Sequence, residues 1–110
     1  LSAFRDELTN ALQGLVDTST WLGERLAAGE IDEALAGATP YLRQFGTVVA
    51  GWLMARSAIA AKGRPAEHDD DFVAGKVVTA RFYGEHLLPQ ANGLIPTIKA
   101  GNKLLADAQL

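Results

Sequence analysis

A chain of 110 residues, 48% of them hydrophobic, has room for one domain around one core and not for two. A charged fraction of 21% and a net charge of −3 exclude a disordered tail and argue against a concentrated basic face for nucleic acid. The absence of cysteine excludes disulfides, thiolate metal sites and cysteine nucleophiles together, and fits a reducing, cytoplasmic setting. Met54 is the single methionine, so a chain starting Leu-Ser-Ala is expected to be a piece of a longer protein. Arg5, Asp6 and Glu7 interrupt any signal-like run at the start. The longest uncharged apolar run, residues 45–55, falls short of the roughly 20 residues that span a bilayer. A soluble domain without a membrane span is expected.

In chain order, leucine recurs every seven residues at Leu1, Leu8, Leu15 and Leu22, with Phe4, Leu12, Val16 and Leu26 beside them. That spacing predicts an amphipathic first helix in a bundle. Asp6 and Glu7 are placed in its first turn, where the helix dipole favours negative charge, and Gly29 is placed as its left-handed C-cap residue. The second segment begins near residues 30–32 and meets Thr39-Pro40. Either Thr39 caps a new helix with Pro40 at its first position, or one long helix is kinked or briefly broken there before ending at Lys62-Gly63. The long helix, kinked or briefly broken, is the preferred alternative.

Residues 41–61, YLRQFGTVVAGWLMARSAIAA, dominate the chain. Tyr41, Leu42, Phe45, Val48, Val49, Trp52, Leu53 and Ile59 project onto a bulky face. Gly46, Thr47, Ala50, Gly51, Ser57, Ala58 and Ala61 project onto a nearly flat one. With so little polar surface, this helix is expected to be central and packed on several sides. Gly46, Gly51 and Gly84 are expected to permit close approach between helices, since a helical glycine costs about 0.5–1 kcal/mol relative to alanine without such a reason.

GRPAEHDDD, from Gly63 on, reads as an exposed loop. A third helix starts near Asp70 or Asp71, with Val73, Val77, Ala80, Gly84, Leu87 and Leu88 as its apolar stripe. Phe72, Val78, Phe82 and Tyr83 extend apolar character around it. Pro89 ends or kinks this helix. A last helix over residues 90–100 is weakened by Asn92-Gly93 and Pro96, although Leu94, Ile95 and Ile98 keep helical spacing. The tail with Leu104, Leu105 and Leu110 is either a frayed extension or a docking segment. No strand pattern competes, so the expected fold is all-α: one domain over residues 1–110, an antiparallel four-helix bundle.

Catalytic signals are sparse. His68-Asp69-Asp70-Asp71 are consecutive residues that cannot easily converge on one ion, and capping explains them more cheaply than a metal. His86 shows neither the partner nor the pocket a general base needs. Arg56 and Arg81 sit within apolar helices. Their stems lie along the core with the charge reaching a carboxylate or water, Arg81 toward Glu85, or they make an anion or docking contact, for instance to a phosphate. No glycine-rich nucleotide loop occurs.

Three stretches, TPYLRQFGTVVAGWLMARSAIAA, DDDFVAGKVVTARFYGEHLLPQA and the closing IKAG, resemble the extra C-terminal helical domain of bacterial acyl-CoA dehydrogenases. The blocks at residues 41–56 and 80–91 are the most specific, and the resemblance covers roughly residues 30–102. It implies a parent enzyme that oxidises acyl-CoA to 2,3-enoyl-CoA, a glutamate removing the α-proton while FAD accepts the β-hydride. It also implies that the FAD pocket and the base lie in preceding domains. No catalytic, cofactor-binding or metal-binding residue is assigned to this chain, and Arg56, Arg81 and His86 remain docking or anion-contact candidates. The implied role is structural, packing on the catalytic core or on a neighbouring subunit of a homo-oligomer, and the implied partners are that core and, through it, acyl-CoA. Two other functions stay open: an independent dimerisation module using the Leu1–Leu26 stripe or the leucine-bearing tail, and a small ligand-binding bundle with a cavity beside the flat helix face.

Overall fold

The computed structural model describes residues 2–63 and 70–108, and helix is the regular structure found there. Three long helices, α1 (Ser2–Ala27), α3 (Ala38–Lys62) and α4 (Asp70–His86), are joined by four short ones. These are α2 (Ile31–Leu35), α5 (Leu88–Gly93), α6 (Ile95–Ile98) and α7 (Lys103–Asp107).

α1 begins at Ser2, so Asp6 and Glu7 fall in its second turn and not in the first. It ends as its sequence indicates. Gly29 adopts φ +79°, and the Glu30 amide donates back to the Arg25 carbonyl at 2.8 Å. That left-handed cap is open to glycine without a Cβ penalty.

The break before α3 comes at Gly37, three residues ahead of Pro40. α3 then opens at Ala38 with Pro40 in its first turn, where a missing N–H removes no helical bond. The Tyr41 amide makes the first full-turn bond, to Gly37 O at 3.0 Å. The chain is thus briefly broken rather than bent at the proline. Gly37 has a packing reason as well: an added Cβ would lie 3.0 Å from Ile98 Cα.

Long-range pairs set the helix directions. Thr18 meets Gln44 and Ser19 meets Tyr41, so α3 runs back along α1. Phe4 packs at Gly84, Asn92 bonds the Asn10 carbonyl, and Lys99 pairs with Asp17 at 2.8 Å. The end of α4, α5 and α6 therefore travel together, parallel to α1. Instead of one last helix over residues 90–100, there are two short segments with Pro89 and Pro96 each near a segment start. Each proline interrupts the hydrogen-bond ladder of the preceding turn, but the direction of α4 is kept.

The buried seam is built from small residues. Ten hydrophobic side chains are buried among the described residues, and six are alanines: Ala11, Ala34, Ala58, Ala61, Ala80 and Ala91. Gly51 faces Leu88, whose Cδ2 lies 2.7 Å from where a Cβ would stand, and Gly84 faces Phe4 at 2.6 Å. Gly46 is different, for nothing lies within 4 Å of its added Cβ. Two of the three glycines expected at close contacts are there, and Gly46 is not.

With α4 running parallel to α1 and Phe4 level with Gly84, the second half of α3 and the first half of α4 project beyond the start of α1 as a two-helix arm. This accounts for the elongated 65 × 25 × 19 Å shape. No helix among the described residues is long and apolar enough to cross a membrane. The glycine geometry gives opposite expectations at two sites. Gly51→Leu overpacks the α3–α5 contact and destabilises by about 1–3 kcal/mol. Gly46→Ala gains about 0.5–1 kcal/mol of helix propensity with no clash. Thermal melts of the two variants should therefore shift in opposite directions, and a Gly51→Leu melting temperature at or above the parent value would contradict the close contact.

Candidate docking face

α3 separates small from large side chains by rotation about its axis. Gln44, Val48, Gly51, Ala58 and Ala61 face inward and are buried. Leu42, Phe45, Trp52, Leu53, Arg56 and Ile59 share an arc of about 120° turned away from that seam. Their exposure decides what the arc is: Leu42 is 72% exposed, Ile59 65%, Leu53 50% and Trp52 47%. The expectation of a helix packed on several sides is corrected here. Within the arm α3 has α4 for a neighbour, so Gly51, Ala58 and Ala61 of the flat face are covered while Gly46 and Ser57 are exposed. Of the bulky face, Val48 is buried while Leu42, Phe45, Trp52, Leu53 and Ile59 are left bare.

The five apolar members of the arc leave on the order of 500 Å² of apolar surface bare, as much as the largest patch on an ordinary monomer. At its α1 end the arc continues into an open groove of about 460 Å³. Leu22 and Leu26 of α1, Leu35 of α2, and Tyr41, Leu42 and Phe45 of α3 line it. The Tyr41 hydroxyl is already engaged with Ser19 at 2.7 Å, so the groove surface is almost wholly apolar.

The three residues singled out in the sequence occupy two different helices. Arg56 lies in the α3 arc with its guanidinium carbon 5.0 Å from the Trp52 ring centroid, a cation–π geometry. Arg81 pairs with Glu85 one turn on, at 3.8 Å, as the spacing indicates. The pair is exposed and contributes little to stability. His86 is exposed too and stacks on Phe82, with ring centroids 4.4 Å apart. Arg81 and His86, five residues apart on α4, face different directions and engage different partners, so the three candidates form no cluster. Asp70 and Asp71 stand in the first turn of α4, as a dipole partner requires, while His68 and Asp69 lie outside the described residues.

Two polar contacts, one buried and one partly buried, hold α3 in place. Thr18 Oγ1 donates to Gln44 Oε1 at 2.7 Å between fully buried side chains of α1 and α3. Tyr83 donates its hydroxyl to the Thr47 carbonyl at 2.7 Å, fastening α4 across α3. Burial raises the Tyr83 pKa above its ordinary value of 10.0, because the phenolate would lose solvation there.

Of the groove residues, Leu22 and Leu26 belong to the Leu1–Leu26 stripe that the sequence offers as a contact surface, whereas Leu35 escaped sequence reasoning. A helix apolar on all sides is the same signal whether a neighbour covers it or not. What separates the cases is how many helices flank the arm, and that depends on Pro89 and Pro96 keeping the last segments beside α1.

The family described as "Acetyl-CoA dehydrogenase C-terminal like" matches residues 1–109. No curated protein matches the chain, and no solved structure does.

The Tyr83 shift has a definite sign. A raised folded-state pKa means the unfolded chain loses this proton first, so the stability it contributes is full below about pH 10 and is lost as pH rises through the higher folded value. Tyr83→Phe should cost about 1 kcal/mol at neutral pH. The gap between parent and variant melts should narrow as pH is raised toward about 11. A gap that stays constant or widens would contradict the burial of this hydroxyl.

Proposed function

Because the chain belongs to the acetyl-CoA dehydrogenase C-terminal-like family, we propose that it is the non-catalytic C-terminal domain of an FAD-dependent acyl-CoA dehydrogenase. Its role is structural: it packs on the catalytic portion of that enzyme through the outer face of α3. The observation that carries this is the bare arc of Leu42, Phe45, Trp52, Leu53 and Ile59, continuous with the apolar groove at one end.

The parent enzyme oxidises acyl-CoA to 2,3-enoyl-CoA, with a glutamate as base and FAD as hydride acceptor, both belonging to the rest of the protein. The groove does not fit FAD, since a flavin ring edge and a pyrophosphate need several hydrogen-bond donors and its walls are leucine, alanine and aromatic carbon. No catalytic, flavin or metal role is assigned to any residue here. Arg56, Arg81 and His86 are contact residues in this scheme, and acyl-CoA reaches the domain only through the catalytic portion. A cytoplasmic enzyme of fatty-acid β-oxidation is the setting that fits.

A second function, self-association without a link to flavin chemistry, draws on α7, where Leu104 is 86% exposed. A stable symmetric dimer of the 110-residue chain in sedimentation would favour it.

Docking is tested in the full-length dehydrogenase with Leu53→Glu and Ile59→Glu. Both side chains are at least half exposed, so the domain's own fold should change by no more than about 0.5 kcal/mol. The expected result is faster proteolytic release of the domain and a lower melting temperature for the whole enzyme, with that of the isolated chain unchanged. If full-length enzyme carrying both substitutions behaves as the parent does, the α3 face is not the docking surface.

A further inference from the structure

Building on the docking role proposed above, we infer that Arg56 is the charged anchor of that interface, and that the catalytic portion presents a carboxylate to it. Arg56 is the sole charge on the outer arc of α3 between Leu42 and Ile59. Any partner that covers Trp52, Leu53 and Ile59 takes the guanidinium out of water with them. A lysine there could shed its proton on burial, but an arginine keeps its charge at every accessible pH. A buried, unpaired guanidinium is strongly unfavourable, so the covering surface has to supply acceptors, and a carboxylate matches the planar fork with two parallel hydrogen bonds.

The structure leaves Arg56 available for that role. No carboxylate among the described residues forms an ion pair with it, whereas Arg25 has two such partners and Arg81 and Lys99 have one each. Its contact with Trp52 at 5.0 Å holds the guanidinium beside the indole, so less side-chain freedom is lost on docking. Tryptophan and arginine together are also the residue types on which interface energy concentrates.

Charge selects the occupant. α3 carries Arg43, Arg56 and Lys62 and no aspartate or glutamate from end to end. Two copies packed α3 against α3 would bring cations together and offer no carboxylate from the facing helix. An anionic lipid surface would call for several basic residues around the apolar face. Here one cation sits within the arc, and Asp70 and Asp71 stand at the tip of the arm. A protein surface that is apolar with an acidic residue opposite Arg56 is the complement.

In the full-length dehydrogenase, Arg56→Lys places an amine at this position for zero-length carbodiimide coupling. The amide forms with the adjacent carboxylate as the carbodiimide takes up the elements of water and becomes its urea. Peptide mass spectrometry should find position 56 joined to an Asp or Glu of the same polypeptide outside residues 1–110, and Arg56→Gln should give no such product. A link to an acid of a second copy, or none above the Arg56→Gln background, overturns the inference. So does binding to phosphatidylserine vesicles that is lost in Arg56→Gln without a cross-link in Arg56→Lys. Proteolytic release separates this inference from the docking role beneath it. If Leu53→Glu accelerates release about tenfold or more while Arg56→Met leaves it unchanged, docking stands and the ion pair falls. If neither variant changes release, both fall.

Discussion

The close approach of helices at Gly51 and Gly84 is the constraint on which the rest of the structure depends. With no Cβ at these positions, Leu88 and Phe4 push their side chains against the backbone of the facing helix. The seam they begin is continued by alanines at 11, 58, 80 and 91, so the helices are held together by shape and not by bulk. A seam of this kind buries little area per residue. The large side chains that fill the core of an ordinary small domain are consequently displaced outward, onto α3 above all. One choice in the sequence thus produces both a thin core and a wide apolar exterior.

Much of the fold is legible in the sequence, and what is not has a physical cause. The helical class, the start of α4 at the acidic pair, the left-handed cap at Gly29 and the Arg81–Glu85 pair all follow from local chemistry that a few residues determine. Instead of a kink at Pro40, the break falls at Gly37, where the backbone lies against Ile98, 61 residues away, a contact that no local pattern records. Gly46 and Gly51 lie five residues apart on one helix, and only the arrangement of the neighbouring helices makes one tight and the other open. The docking face is the sharpest case. Periodicity separates bulky from small side chains but puts Val48, which is buried, on the bulky face and Gly46 and Ser57, which are exposed, on the flat one. The inference that both faces are buried assumes a fourth helix that the chain does not place there.

The arm formed by α3 and α4 joins these points to function. A helix with one neighbour buries one stripe, and the remaining apolar circumference meets water unless another surface covers it. Tyr83, bonded to Thr47, fastens the base of the arm, and the Thr18–Gln44 pair ties α3 to α1 further along. The arm is therefore fixed in direction while its outer side stays open. That combination suits a docking element better than a catalytic one, since the polar groups with fixed partners are spent on joining helices and few of them converge on a cavity.

Magnitudes indicate which partner can cover the face. Covering on the order of 500 Å² of this face takes about 1,000 Å² out of water counting both surfaces, below the roughly 1,200–2,000 Å² typical of stable interfaces between free molecules. Association of separate molecules costs an estimated 4–15 kcal/mol in lost translation and rotation, which leaves a free partner or a second copy marginal. A domain tethered to the surface it covers meets that surface at an effective concentration of about a millimolar and avoids most of this loss. The same patch that is too small to hold two free molecules firmly is therefore large enough to close within one polypeptide, where a carboxylate opposite Arg56 would also fix the register.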